Sequence, residues 1–118
     1  MLTLTVTSKE LDLASGSEVR EQVHRAVAEG SRSIVLDLSG VRFCDSSGVG
    51  VLIATRRLMR SCSGELRLVL PSPRDGRTRD CAEVHRVFSA LGVRRLFDIH
   101  PDLASATASA APEPDRDQ

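Results

Sequence analysis

The chain has 118 residues, 41% of them hydrophobic, which is enough for one domain with its own core and too short for two. Its 16 basic residues balance its 16 acidic residues, and a formal net charge of zero gives no general attraction to nucleic acids or anionic membranes. Aromatic residues make up 3%, without Trp or Tyr, which excludes the base-stacking surface that single-strand nucleic-acid binders use.

The N-terminal segment predicts a strand, a loop and a helix. LTLTVT alternates apolar residues with threonines, the period of a half-buried strand. A loop is expected at Glu10 to Gly16. SGSEVREQVHRAVAEG then changes to a helical period, with Ser15 and Glu18 at capping-box spacing and Gly30 able to take the left-handed conformation that ends a helix.

Two further strands are predicted on either side of a second helix. SIVLDL is almost continuously apolar, as expected of a strand near the middle of a sheet. ELRLVLPSP alternates leucines and ends in prolines, which cannot continue a ladder. The helix between these strands begins at the turn Asp45-Ser46-Ser47-Gly48.

The C-terminal part is more polar. Arg74 to Glu83 has no apolar period and predicts an exposed loop. VHRVFSALGV predicts a helix with Val87, Phe88 and Leu91 inward and Gly92 as its stop, and RLFDIH predicts a short strand. A weak helix over 101–110 and a disordered, Pro-rich end complete the chain. Strands alternating with helices predict an α/β or α+β domain with one sheet.

The N-terminal sequence and the cysteine content indicate in which cellular compartment the protein lies. No apolar run approaches the roughly 20 residues that a membrane span needs, and the N-terminus has neither the basic start nor the cleavage site typical of export. The 3 cysteines lack CxxC spacing and fit a reducing environment better than a disulfide scaffold. We therefore expect a soluble, cytoplasmic protein.

The helix that follows the turn has two distinct faces when it is wound with helical periodicity. The core face comprises Gly48, Val51, Leu52, Thr55, Leu58 and Met59. The opposite face comprises Ser46, Gly50, Ile53 and Arg57, flanked by Val49, Arg56 and Arg60. Because this second face places apolar residues and guanidinium groups beside a hydroxyl, we interpret it as a binding surface; the alternative is an ordinary solvated helix face.

The turn itself offers more capping residues than one helix start needs. Asp45, Ser46 and Ser47 are all good N-cap or first-turn residues, so at least one hydroxyl is available for chemistry or recognition. A catalytic serine is disfavoured because neither serine has the first glycine of a G-x-S-x-G elbow. A phosphate-binding P-loop is absent, since the only lysine is Lys9. A phosphate acceptor remains, because a helix N-terminus tolerates the added negative charge.

Three segments together resemble the STAS-domain anti-sigma-factor antagonists of bacteria: LTVTSKELDLASGSEVREQV, IVLDLSGVRFCDSSGVGVLIATRR, and LRLVLPSP with VFSALGVRRLFDIHP. The D-S-S-G-V-G sequence after a buried strand is highly specific for that family. The resemblance implies a STAS fold, a small mixed β-sheet of four to five strands with helices packed on one face. It implies a domain over residues 1–103, with an inserted loop expected at 74–83, followed by a weak helix and tail over 104–118.

The resemblance also implies a partner-switching function. The unphosphorylated antagonist would bind an anti-sigma factor, a serine kinase with a histidine-kinase-like ATPase fold, and so free a sigma factor. The kinase would phosphorylate Ser46, and a PP2C-type phosphatase would reverse the reaction. The protein would be substrate and ligand rather than an enzyme, with no cofactor, metal, nucleic acid or membrane partner.

Carried over by residue, the resemblance makes Ser46 the acceptor and Asp45 its positioning neighbour. Ser47 matches a Ser or Thr position, Gly48 would allow close approach of the kinase, and Asp12 would lie at the partner interface. With the exposed helix face, the expected partner-binding set is Asp12, Asp45, Ser47, Gly48, Val49, Gly50, Ile53, Arg56 and Arg57.

Several features leave alternatives open. Lys9 stands where the family has Gly, and the segment 74–83 is either a passive loop or a determinant of partner choice. Cys81, His85 and Cys62 could form a loose metal site, and Cys44 is either an inert thiol or an oxidation-sensitive neighbour of the acceptor. A STAS scaffold, or an accessory subunit of a lipid transporter, is the functional alternative.

Overall fold

The computed structural model describes residues 1–71 and 81–108, so most of the expected loop at 74–83 and the end of the chain lie outside the described residues. Within them the chain forms, in order, β1 (Leu2–Thr5), β2 (Glu10–Leu11), α1 (Leu13–Ala28), β3 (Ser33–Asp37), β4 (Phe43–Cys44), α2 (Ser46–Ser61), β5 (Glu65–Val69), α3 (Ala82–Ala90), a 3-10 helix (Arg94–Leu96), β6 (Asp98–His100) and α4 (Leu103–Ala108).

The main sheet has four strands in the order β1-β3-β5-β6, and β2 pairs with β4 in a separate short ladder. Every pair is parallel, with Leu4 opposite Leu36 and Leu36 opposite Leu68. Parallel neighbours need a crossover, and α1, α2 and α3 lie in the three connections of the main sheet. The predicted α/β fold with a small sheet of four strands is confirmed. The prediction of a single, mixed sheet is wrong, because β2 and β4 form a second sheet and the described pairings are all parallel.

The two faces of the sheet carry different layers, because successive side chains of a strand point to opposite sides. Ile34, Leu36 and Leu68 point into the main core, which also contains the buried residues of α1, α2 and α3. Val35 and Val69 point the other way and pack against Ala106 of α4. Three helices therefore share one face, as predicted, and the short α4 covers part of the other.

A buried arginine holds α4 on its face of the sheet. Arg67 donates from Nη1 to the Ala106 carbonyl oxygen over 2.8 Å. Its guanidinium also pairs with Glu65 at 2.7 Å and with Asp98 at 3.3 Å. The side chain thereby joins two strands to the last described helix.

Two helix boundaries differ from the sequence prediction. The N-cap of α1 is Asp12, and Ser15 is the residue that completes its capping box, so the expected Ser15–Glu18 box is wrong. The third helix starts at Ala82, inside the expected loop. Leu91 was expected to point inward but is 46% exposed, because the helix ends at Ala90 and Gly92 turns the chain with φ 68°. Gly30 has a positive φ of 104°, as predicted.

Candidate functional site

The N-termini of α1 and α2 lie side by side because the strands that precede them are paired. In this ladder Glu10 is opposite Phe43 and Leu11 is opposite Cys44. The next residue of each segment is an aspartate that caps a helix of 16 residues. The backbone N–H of Asp45 also donates to the Leu11 carbonyl oxygen over 3.2 Å. The short ladder thus brings Asp12, at the start of α1, beside the turn that contains Ser46.

Of the three residues in the turn that could cap α2, Asp45 is the one that does so. Its Oδ1 accepts a hydrogen bond from the Gly48 N–H at 2.9 Å. Ser46 and Ser47 are exposed first-turn residues, and no hydrogen bond joins either hydroxyl to another part of the described chain. Since the carboxylate already satisfies the cap, both hydroxyls are accessible at the positive end of the helix dipole.

The start of α1 is closed by a reciprocal capping box. Asp12 Oδ1 accepts from the Ser15 N–H at 3.0 Å, and Ser15 Oγ accepts from the Asp12 N–H at 3.1 Å. The hydrogen bond from the Ser15 amide, followed by that from its hydroxyl, lowers the pKa of Asp12 below its ordinary value of 3.8. The carboxylate is therefore ionised at neutral pH, and the stability it contributes is lost only as the pH falls through that lowered pKa.

Gly48 brings the first turn of α2 against the end of β2. A Cβ at this position would lie 2.1 Å from the Leu11 carbonyl oxygen and 2.6 Å from its carbonyl carbon. Gly48 is thus buried against Leu11, which confirms its predicted place on the core face of the helix. Its expected role in the approach of a kinase stays a prediction.

The structure divides the predicted partner-binding residues of α2 by exposure. Gly50 and Arg57 are exposed, and Ile53 and Arg56 are partly buried. Val49 is 1% exposed and belongs to the main core, so its assignment to the outer face was wrong. Asp45, Ser46 and Ser47 are exposed and Asp12 is partly buried, which leaves them accessible beside the helix face.

Two exposed apolar residues next to this turn were not predicted as site residues. Leu13, the first residue of α1, is 62% exposed, and Phe43 of β4 is 56% exposed. A groove beside them is lined by Glu10, Leu11, Asp12, Phe43, Cys44, Asp45 and Glu83. The signal in the sequence was the apolar residue at Leu13, at the start of a helix where a polar residue is usual.

Cys44 lies at the floor of this groove as a protonated thiol. It is buried, and its Sγ donates to the Asp45 carbonyl oxygen over 3.5 Å. Burial, with a smaller contribution from the Asp45 charge, raises the pKa of Cys44 from 9.0 to about 11. Because this pKa is raised, the neutral thiol makes its full contribution to the stability of the fold below pH 9.0. That contribution is lost as the pH rises through about 11.

We expect iodoacetamide to label Cys62 faster than Cys44 in the folded protein at mildly alkaline pH. Cys62 is partly exposed, whereas Cys44 is buried and its raised pKa leaves little of the reactive thiolate. Site-resolved mass spectrometry of a labelling time course measures both rates. In urea the two rates should converge, and equal rates in the folded protein would contradict the burial of Cys44.

The suggested metal ligands are engaged elsewhere. His85 Nε2 lies 2.7 Å from the Pro71 carbonyl oxygen and its Nδ1 lies 2.6 Å from Arg94 Nη1. Cys81 Sγ lies 3.8 Å from the Ser39 carbonyl oxygen. Residues 1–71 and 81–108 contain no group of three or more His, Cys, Asp or Glu side chains arranged to hold a metal ion. No helix in the same described parts is both long and apolar enough to cross a membrane.

The fold and the paired helix starts define a STAS domain. The model of the STAS domain family matches residues 2–106, and the chain belongs to this family. The resemblance seen in the sequence motifs is thereby confirmed.

Antagonists of anti-sigma factors are among the curated relatives of the chain. The anti-sigma F factor antagonist of Lysinibacillus sphaericus is 34% identical over 65 residues, a match that spans 54% of this chain and 56% of that protein. The anti-sigma F factor antagonist of Paenibacillus polymyxa is 29% identical over 100 residues, which cover 84% of this chain and 78% of that protein.

Solved structures show the same fold. The protein TM1081 of Thermotoga maritima, solved by NMR, has a TM-score of 0.72 at 24% identity, covering 95% of this chain and 83% of its own. Unphosphorylated SpoIIAA, an anti-sigma factor antagonist, has a TM-score of 0.68 at 22% identity, covering 92% of this chain and 85% of its own.

Proposed function

We propose that this protein is a cytoplasmic anti-sigma-factor antagonist that acts by partner switching through phosphorylation of Ser46. In its unphosphorylated form it binds an anti-sigma factor that is also a serine kinase with a histidine-kinase-like ATPase fold. Phosphorylation of Ser46 by that kinase releases the complex, and a PP2C-type phosphatase restores binding. The curated relatives, which are named as antagonists of anti-sigma F and anti-sigma-B factors, support this role.

The observation that carries the proposal is the exposed Ser46 hydroxyl at a helix N-terminus whose cap is already supplied by Asp45. A kinase can reach this oxygen without first breaking the cap. The phosphorylated side chain, with about −1.5 to −2 charges, would lie at the positive end of the α2 dipole. The fold can therefore accept the modification without rearrangement.

Release follows from where the new charge would lie. We place the partner over the exposed side of α2, along Ser46, Gly50, Ile53 and Arg57, a line about 16 Å long at the helical rise. A phosphoryl group covered by such a partner would lose water without gaining a matched cation, which is costly. Asp12, Asp45, Ser47 and Arg56 border this surface and complete the proposed interface.

We expect the purified cognate kinase and ATP to add one phosphoryl group to the wild-type protein and none to Ser46→Ala. Ser47→Ala is the matched control, because it removes the adjacent exposed hydroxyl and should still be phosphorylated. Intact-mass spectrometry measures the addition, and treatment with a PP2C-type phosphatase should reverse it. Phosphorylation that persists in Ser46→Ala would overturn the assignment of the acceptor. A stable complex with no phosphoryl transfer would instead favour a STAS scaffold.

A further inference from the structure

The two most exposed large apolar side chains of residues 1–71 and 81–108 lie at the start of α1 and in β4, the strand that leads into α2. They are Leu13 at 62% and Phe43 at 56% exposure. The other exposed large apolar residues are Met1, Leu2, Leu91, Leu96 and Leu103, which lie on other elements and are each less than half exposed. Isolated exposed apolar residues need no explanation, but two such residues near the turn that contains Ser46 do.

The local geometry explains why both side chains point outward. In β4, Cys44 is buried and Phe43 is exposed, so the alternation of the strand turns the phenylalanine away from the core. Leu13 is the first residue of α1, as Ser46 is the first residue of α2. Because Leu11 and Cys44 are paired, the starts of α1 and α2 lie side by side, so that Leu13 follows the end of β2 by two residues and Ser46 follows the end of β4 by two residues.

We propose that Leu13 and Phe43 are the apolar anchors by which the anti-sigma kinase docks on this protein, an inference that rests on the proposed function. The occupant is a protein surface with an apolar recess for these two side chains and an arginine or lysine beside it. Aromatic and aliphatic anchors that lose water at the centre of an interface commonly carry most of its binding energy.

The charge around Phe43 specifies the cation. The groove beside it contains the carboxylates of Glu10, Asp12 and Asp45, none of which forms an ion pair with another described residue. Glu83 also lines the groove but is paired with Arg86 at 2.7 Å. This excess of negative charge favours a basic protein surface and disfavours an anionic lipid surface.

The anchors also explain why phosphorylation at this position breaks the complex. The partner's cation is matched to the carboxylates already in the groove, Asp45 among them, so a phosphoryl group on Ser46 would add negative charge that this cation leaves unpaired. The added charge must stay hydrated, so the recess cannot close over Leu13 and Phe43. One modification then removes the apolar contacts of both anchors.

To test this proposal, each anti-sigma kinase of the source organism is purified, and its affinity for the Leu13→Ala and Phe43→Ala proteins is measured in the absence of ATP. We expect each variant to bind the cognate kinase at least tenfold more weakly, measured by isothermal titration calorimetry. Leu91→Ala and Leu103→Ala are matched controls, because they truncate exposed leucines elsewhere and should change the affinity less than twofold. Thermal unfolding of all variants shows whether the fold is intact.

The cation is tested separately through salt and charge. Glu10→Gln should weaken binding and reduce the dependence of the affinity on ionic strength relative to the wild type. A wild-type protein that binds the kinase, with anchor variants of unchanged affinity, would overturn this inference and leave the proposed function standing. Failure of the wild type to bind any of the kinases would overturn both. A wild-type homodimer that Phe43→Ala dissociates in analytical ultracentrifugation would assign the surface to a second copy of the chain.

Discussion

Gly48→Ala should lower the free energy of unfolding by about 3 kcal/mol, at the upper end of what overpacking a core normally costs. The added methyl group would lie 2.1 Å from the Leu11 carbonyl oxygen, a backbone atom that cannot rotate away. That oxygen also accepts a hydrogen bond from the Asp45 N–H, and the Leu11 side chain is fully buried. Either β2 or the first turn of α2 must therefore move. Urea unfolding, monitored by circular dichroism, measures the loss.

Gly50→Ala is the matched control for this prediction. It lies two residues further along the same helix and is exposed, and a Cβ there would meet nothing within 4 Å. Because alanine favours the helix over glycine by ~1 kcal/mol, this variant should be as stable as the wild type or more stable. A Gly48→Ala protein that matched Gly50→Ala in stability would contradict the close packing of α2 on β2.

Ser46→Asp should weaken binding of the anti-sigma kinase at least ~100-fold, which corresponds to about 2.7 kcal/mol. The carboxylate would be covered by the partner without a matched cation, and such buried charges cost several kcal/mol. The loss would not reflect unfolding, since an acidic residue in the first turn of α2 is favoured by the helix dipole. Isothermal titration calorimetry measures the affinity, and thermal unfolding verifies the fold.

Two control variants separate charge from shape in this experiment. Ser46→Asn has nearly the size of the aspartate without its charge and should retain most of the affinity. Ser61→Asp places the same charge on an exposed residue at the other end of α2 and should have little effect. If Ser46→Asn lost as much affinity as Ser46→Asp, steric exclusion rather than charge would account for release.

The elements that depend on local patterns could be predicted from the sequence. The period of α2, the alternation in β5 and the positive φ of Gly30 and Gly92 each follow from a few neighbouring residues. The start of α1 was misplaced because Asp12 and Ser15 have the same spacing as Ser15 and Glu18, so that two capping boxes competed in one segment. Only the first of these boxes is formed in the structure.

The parts of the site that depend on contacts between distant segments could not be predicted. Helical periodicity alone placed Val49 on the outer face of α2, but the first turn is packed against β2 and the valine is buried. Periodicity did place Gly48 on the core face, but it could not show that the atom facing this glycine is the Leu11 carbonyl oxygen. The exposure of Phe43 could not be predicted, because a strand of two residues is too short to show an alternation of apolar and polar residues. Its orientation is evident only in the folded structure.

The ladder between β2 and β4 joins segments that are separated along the chain by the whole of α1 and by β3. Ser46, the proposed acceptor, therefore lies beside the start of α1 only when β2 and β4 are paired. A linear peptide that contains Asp45-Ser46-Ser47-Gly48 would present the phosphorylatable hydroxyl without the surface around it. An enzyme that recognises this surface would distinguish the folded domain from unfolded or unrelated chains with the same four-residue sequence. It would likewise not modify incomplete nascent chains.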